Sequence, residues 1–190
     1  VLVSCFLTPS TESQYTFPQQ LRHEVEQVVG EYRFDCTNFR TDDKDDLLRH
    51  GEVHNPGRLL YGRMPGYHLS GLGGRMAELA TEHLGDHDVT HVVSSPLERA
   101  RETAAPIARS HGVDVALDDR VIEAGNDFEG LPVAGGSGIL RHPRLYPKML
   151  NPFRPSWGEP YVEIVERMRL AIVDARAKAR GHEAVIVSHQ

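Results

Sequence analysis

The sequence predicts an α/β domain with a mainly parallel sheet covered by helices, on two observations. After residue 46, short apolar runs alternate with stretches of helical periodicity. Three of those runs, LLRHG, VVSSP and VIVSH, also end in polar groups, as expected where ligands meet the carboxyl ends of parallel strands.

The first 46 residues read as an atypical segment of their own. Residues 8–20 are rich in Ser, Thr, Gln and Pro and predict loop, while Leu21, Val25, Val28 and Val29 share one face of a short helix over 21–32. The run Asp42, Asp43, Lys44, Asp45, Asp46 predicts a solvated face. The domain is expected over 47–190. It opens with a very short strand whose apolar end is Leu47-Leu48. A helix follows over 70–84, with Ser70 as N-cap and Met76, Leu79, Ala80 and Leu84 on its inner face; Gly73 and Gly74 weaken its first turn. The β-branched run over 90–94 predicts a buried strand, and 96–110 a helix with Pro96 in its first turn. A strand is expected over 114–117. Residues 125–159 form an irregular stretch too long for an ordinary connection. A helix over 161–180 places Val162, Val165, Met168, Ile172 and Ala175 inward and stops at Gly181; EAVIVS is the last strand.

Composition narrows the function classes. A 190-residue chain is long enough to bury a core, and no apolar run approaches the roughly 18 residues of a membrane span. VLVSCFL does not read as a signal peptide. Two cysteines, Cys5 and Cys36, are too few for a disulfide framework, so a cytoplasmic setting is expected. The net charge of -6 argues against nucleic acid as a partner. An anionic substrate must then be drawn by local positive charge.

Phosphoryl transfer without a metal needs a nucleophile, cations for the phosphate oxygens and an acid for the leaving group. Arg49-His50-Gly51 offers the first two together: an imidazole to attack phosphorus, a guanidinium fork, and a glycine that lets backbone approach a phosphate. Arg99 lies about one turn into the helix after VVSSP, Glu123 and Glu129 lie in VIEAGNDFEG, and His189 closes VIVSH. Each alone reads as an ordinary surface residue; their joint occurrence in this order does not. His83 and His87 have metal-ligand spacing, but no third ligand is evident in the sequence, so they read as surface histidines and no metal site is expected. The glycines in SGLGG and AGGSG lack the Gly-Lys-Ser/Thr of a P-loop. Arg141, Arg144, Lys148 and Arg154 make the long irregular stretch basic, either a solvated loop or a reach toward a second anionic group.

The pieces LLRHGEVHNPGRLLYGRMPGYHLSGLG, VVSSPLERARETAAPIA, VIEAGNDFEG and VIVSH, in that order, resemble the histidine phosphatase (phosphoglycerate mutase-like) superfamily. They span 47–189, about three quarters of the chain. The resemblance implies a three-layer α/β/α sandwich and a metal-independent phosphomonoesterase of the histidine acid phosphatase type. It implies that His50 becomes phosphohistidine, that Arg49 and Arg99 hold phosphate oxygens, and that His189 stabilises the transferring phosphoryl. Glu123 would be the proton donor and Asn55 a phosphate-pocket asparagine, one position nearer the histidine than in the mutases. Ser95 and Glu129 are weaker matches. His50 must be neutral to attack, which Arg49 and Arg99 favour; His189 is more useful protonated, which bound phosphate would favour.

Two features depart from the family pattern. TDDKDD stands where relatives carry a hydrophobic strand, and the family continues past the second histidine, so the domain is expected to be incomplete at its C-terminus. The expected partner is a small phosphomonoester, with no nucleic acid, membrane or cofactor. The rival readings are a cofactor-dependent phosphoglycerate mutase and a catalytically silent phosphate-binding or regulatory module. The short span between Glu123 and His189, and AGNDFEG after Glu123, favour the phosphatase.

Overall fold

A computed structural model describes residues 44–132 and 158–189. The expected helix over 21–32, both cysteines, the four basic residues of the long stretch and most of that stretch lie outside the described residues. Two compact units divide the chain at Asp42/Asp43, and every described residue belongs to the second.

Among the described residues, four parallel strands form one sheet in the order β1-β4-β2-β3: β1 Lys44–Arg49, β2 Val89–Ser94, β3 Val115–Leu117 and β4 Glu183–Ser188. Three helices, α1 Gly71–Leu84, α2 Glu98–Ser110 and α3 Tyr161–Lys178, cover it. Alternation along the strands assigns the faces. Leu48, Val92, Val185 and Val187 pack with Leu84 of α1 and with Ala100, Ala104 and Ile107 of α2. Leu47, Val93, Ala184 and Ile186 pack with Ala171 and Ala175 of α3. The result is the expected three-layer α/β/α sandwich. Central β4 is buried on both faces, which is why EAVIVS is continuously apolar between its first and last residues.

Several elements depart from expectation. β1 is six residues long rather than very short, and Lys44, Asp45 and Asp46 of the acidic run form its first half. Asp45 accepts a hydrogen bond from Arg176 of α3, so a charge that reads as solvated is paired across the fold. Ser70 caps α1 by accepting from Gly73 N at 3.0 Å, as expected. Its buried face, however, is Gly73, Ala77 and Leu84, and Leu79 is exposed. Gly73 is there for contact: a Cβ on it would sit 2.0 Å from Glu52 O, and one on Gly51 would sit 2.5 Å from Gly73 O. Gly51 thus lets α1 approach the loop after β1, a closer constraint than approach to a phosphate. α2 begins two residues after Pro96. In α3 the alanines Ala171 and Ala175 are buried, bringing the helix close to the sheet, while Val162 and Val165 are exposed. Gly181, at φ 83, turns the chain into β4.

Candidate active site

The carboxyl ends of β1, β2 and β4 converge, and each delivers one of the expected groups. His50 follows β1 and is 6% exposed; its backbone N–H bonds Ser188 O at 3.1 Å, tying it to β4. Ser95 follows β2 and is fully buried; its N–H bonds Val187 O at 3.0 Å. His189 follows β4, its ring 5.0 Å from that of His50. Arg99, in the first turn of α2, has no exposed surface and sits between them.

The hydrogen bonds orient both imidazoles. His50 donates from Nδ1 to Gly51 O at 2.7 Å, which leaves the Nε2 lone pair free to accept from Arg99 Nε at 3.2 Å. Arg99 Nη2 donates to Gly62 O at 2.7 Å and to His189 Nδ1 at 3.3 Å, and His189 Nε2 donates to Ser95 Oγ at 2.8 Å. Arg99 Nη1 is buried without a hydrogen-bond partner in the protein. Such a donor is costly unless a ligand meets it. The Tyr61 ring lies 4.8 Å from the guanidinium carbon. Thr103 Oγ1 donates to Arg99 O at 2.8 Å and accepts from Gly51 N at 3.1 Å, coupling α2 to the His50 loop.

Glu123 completes the cluster. Its Oε2 lies 3.4 Å from His189 Nδ1 and 3.7 Å from Arg99 Nη2. Ser188 Oγ donates to Val121 O at 2.8 Å, and Arg63 Nε donates to Glu123 O at 2.7 Å, which fix the segment carrying it. Glu159 holds Arg63 in turn, accepting from its Nη2 at 2.9 Å and from Arg167 Nε at 2.7 Å.

Burial governs the protonation states. It lowers His50 to about 4, with Arg99 and Arg49 pushing the same way and the Gly51 hydrogen bond opposing. It lowers His189 to about 3, reinforced by Arg99 and His50. Both rings are therefore neutral in the ligand-free site at neutral pH. Neutral His50 is as expected, although burial outweighs the arginines as the cause. His189 is not protonated until something anionic compensates. Burial also raises Glu123, against the pull of the Ala124 N–H and three arginines.

The remaining expected residues are placed less simply. Arg49 is exposed at the end of β1 and lines, with His50 and Glu123, a cavity of about 780 Å³. Asn55 also lines it, but its amide braces its own loop: Oδ1 accepts from Leu59 N at 3.0 Å and Nδ2 donates to Leu59 O at 2.8 Å. One N–H of Nδ2 is left over from that bond. Glu129 accepts from Arg63 N at 2.8 Å and so supports the wall. Tyr61, Arg63, Thr103, Glu159 and Ser188 carried no signal in the sequence. Each has at least one partner tens of residues away, which nothing local announces.

His50, Glu123 and His189 also present ligand atoms within 4.8 Å of one another, close enough for a metal ion. The Arg99 guanidinium bonds two of those three atoms, and a second cation would be forced against it. The donor set fits an anion.

Known proteins agree. The chain matches the histidine phosphatase superfamily (branch 1) over residues 46–190. It is 52% identical over 144 residues to Rv0525, an uncharacterized protein of Mycobacterium tuberculosis, covering 76% of this chain and 71% of that one. It is 30% identical over 148 residues to a probable phosphoglycerate mutase, GpmB, of Yersinia enterocolitica, covering 75% and 67%. Among solved structures, the vanadate complex of a mycobacterial glucosyl-3-phosphoglycerate phosphatase is similar at a TM-score of 0.61 and 30% identity, covering 75% of this chain and 74% of that one. The order of motifs, the parallel sheet and the match over three quarters of its length make this chain a member of the histidine phosphatase superfamily.

Proposed function

We propose that the protein is a metal-independent phosphomonoesterase that works through phosphohistidine at His50. The observation that carries this reading is the buried Arg99, with Nε on the His50 lone pair and Nη1 lacking a protein partner. A phosphoryl group entering beside His50 would satisfy that donor. Arg49, at the open side, would hold a further oxygen, and the spare N–H of Asn55 another.

Neutral His50 Nε2 attacks phosphorus and the bond from phosphorus to the ester oxygen breaks. Glu123, raised by burial, is the acid that protonates the departing oxygen. Arg49 and Arg99 neutralise the charge on the phosphoryl oxygens, joined by His189, which takes a proton from solvent as the phosphate dianion binds and returns it to solvent when phosphate leaves. In the second half, the Glu123 carboxylate takes a proton from water, the water oxygen joins phosphorus, and the N–P bond breaks. Phosphate leaves and His50 is neutral again.

The partner is a small phosphomonoester, as the name of the glucosyl-3-phosphoglycerate phosphatase illustrates for that neighbour. An acid-side optimum of the histidine acid phosphatase type follows from the need for a protonated Glu123. Two cysteines in 190 residues favour a cytoplasmic setting; among the described residues no helix is long and apolar enough to cross a membrane.

The likeness to the probable phosphoglycerate mutase favours a second reading, phosphoryl transfer between hydroxyls. Hydrolysis of p-nitrophenyl phosphate with EDTA present, in the parent and in His50→Ala, tests the first. Turnover that vanishes in the variant is expected, and turnover that survives it overturns the role of His50. Activity on phosphoglycerate that depends on 2,3-bisphosphoglycerate would establish the mutase instead.

A further inference from the structure

At the opposite end of the sheet, Asp46 of β1, Glu183 at the start of β4, and His87 in the turn after α1 bring three ligand atoms within 4.8 Å of one another. Glu183 starts its strand about 17 Å from Ser188 at the other end, taking a strand's rise of ~3.3 Å per residue, so the cluster is separate from the site above. We propose that Asp46, His87 and Glu183, joined by His83, bind a divalent transition-metal ion of the Zn²⁺ class.

The His83 and His87 spacing, unconvincing in the sequence for want of a third ligand, acquires two carboxylates from strands that follow and precede it by long stretches of chain. α1 ends at Leu84, and His87 N bonds Leu84 O at 2.9 Å, so the chain curls back and brings the two rings to 5.8 Å, tilted by 45°. His83 stands outside the 4.8 Å cluster, and its exposed side chain would turn to reach an ion held by the other three. The carboxylates come from adjacent parallel strands: Lys44 pairs with Glu183, which places Asp46 two residues along β1 from Glu183's register partner.

Donors at about 2.0–2.1 Å from Zn²⁺ lie roughly 3.3 Å apart in a tetrahedral centre. Here His87 Nδ1 is hydrogen-bonded to Glu183 Oε2 at 2.6 Å and lies 4.0 Å from Asp46 Oδ2, so an ion would replace that hydrogen bond, opening the first distance and closing the second. Charge fits. Glu183 is only 8% exposed and Asp46 is half-buried, so two carboxylates share a poorly solvated corner. Burial raises Asp46 and His87 opposes, while Glu183 and Asp45 add to the rise. A protonated His87 offsets one negative charge. A divalent ion offsets two and leaves both imidazoles neutral, the form in which they bind metal. Nitrogen and carboxylate donors together select Zn²⁺ and its neighbours over Ca²⁺ or Mg²⁺. Bound there, the ion would pin the end of α1 to β1 and β4.

The test is titration calorimetry of the chelator-treated chain with Zn²⁺ near neutral pH, in the parent, His87→Gln, His83→Gln and His50→Ala. The expected result is one ion bound by the parent and by His50→Ala, with affinity lowered at least about 100-fold in His87→Gln and about 10-fold in His83→Gln. His83 is exposed, so that variant decides the matter should His87→Gln fail to fold by circular dichroism. Parent-like affinity in His83→Gln or in a folded His87→Gln overturns the proposal, as does loss of binding in His50→Ala or no binding by the parent.

Discussion

At the carboxyl end of β4, His189 meets a fully buried arginine, a second imidazole and a cavity; at its amino end, Glu183 meets another carboxylate and the His87 ring. Both clusters contain histidine and glutamate, and both bring ligand atoms within 4.8 Å. The sign of the surrounding charge separates them. Arg99 and Arg49 make the first a place for anions and add to the burial that keeps its histidines neutral; Asp46 and Glu183 make the second a place for a cation. Residue type alone therefore does not assign a function to a histidine cluster. The fixed charge packed around it does.

Variants at the carboxyl end should have the largest effects. His50→Ala is expected to lower kcat for p-nitrophenyl phosphate by about 10³-fold or more. Arg99→Lys is expected to lower kcat/KM by about 10²–10³-fold, because an ammonium cannot reach His50, Gly62 and His189 at once. A loss below tenfold would remove Arg99 from the centre of the site. Glu123→Gln should depend on the leaving group. About 10²-fold is expected on an alkyl phosphate, with a much smaller loss on p-nitrophenyl phosphate, whose phenolate leaves without a proton. Equal losses on both would deny Glu123 the role of acid.

A pH effect on stability should follow from the same burial. The folded-state values of His50 and His189, about 4 and about 3, lie below the ordinary value of 6.5. Below 6.5 the unfolded chain binds more protons than the folded one. The contribution is thus complete above pH ~6.5 and is lost as pH falls toward the folded values. Thermal melts should show Tm falling between pH 6.5 and 4, with a shallower fall in His50→Ala. An unchanged slope in that variant would contradict neutral burial of His50. The smallest effect belongs to the amino end: His87→Gln should change turnover by less than about twofold, since His87 lies a strand's length from the reacting groups.

Legibility in the sequence followed the range of the interactions. β4 reads directly, because burial on both faces demands an unbroken apolar run. β1 does not: Asp45 reads as solvated until Arg176, more than a hundred residues on, is brought against it. The stripe of α1 was misplaced toward Leu79 because the helix is seated by a glycine contact, Gly51 against Gly73, which hydrophobic periodicity cannot register. At the site, His50, Arg99 and His189 stood out because each closes a strand or opens a helix at the sheet's carboxyl edge, and Glu123, in a loop, through the motif VIEAGNDFEG. The supports that aim them, Thr103, Ser188, Arg63 and Glu159, are defined by partners distant in sequence. The third and fourth members of the His83 and His87 cluster were hidden for the same reason.

The most direct test of a nucleophilic His50 is to trap the intermediate. The enzyme is quenched in alkali during turnover of p-nitrophenyl phosphate, digested, and the peptides are weighed by mass spectrometry. One acid-labile phosphoryl group on the peptide containing His50, absent in His50→Ala, is the expected result. A phosphoryl group on any other residue, or undiminished turnover by His50→Ala, would contradict it.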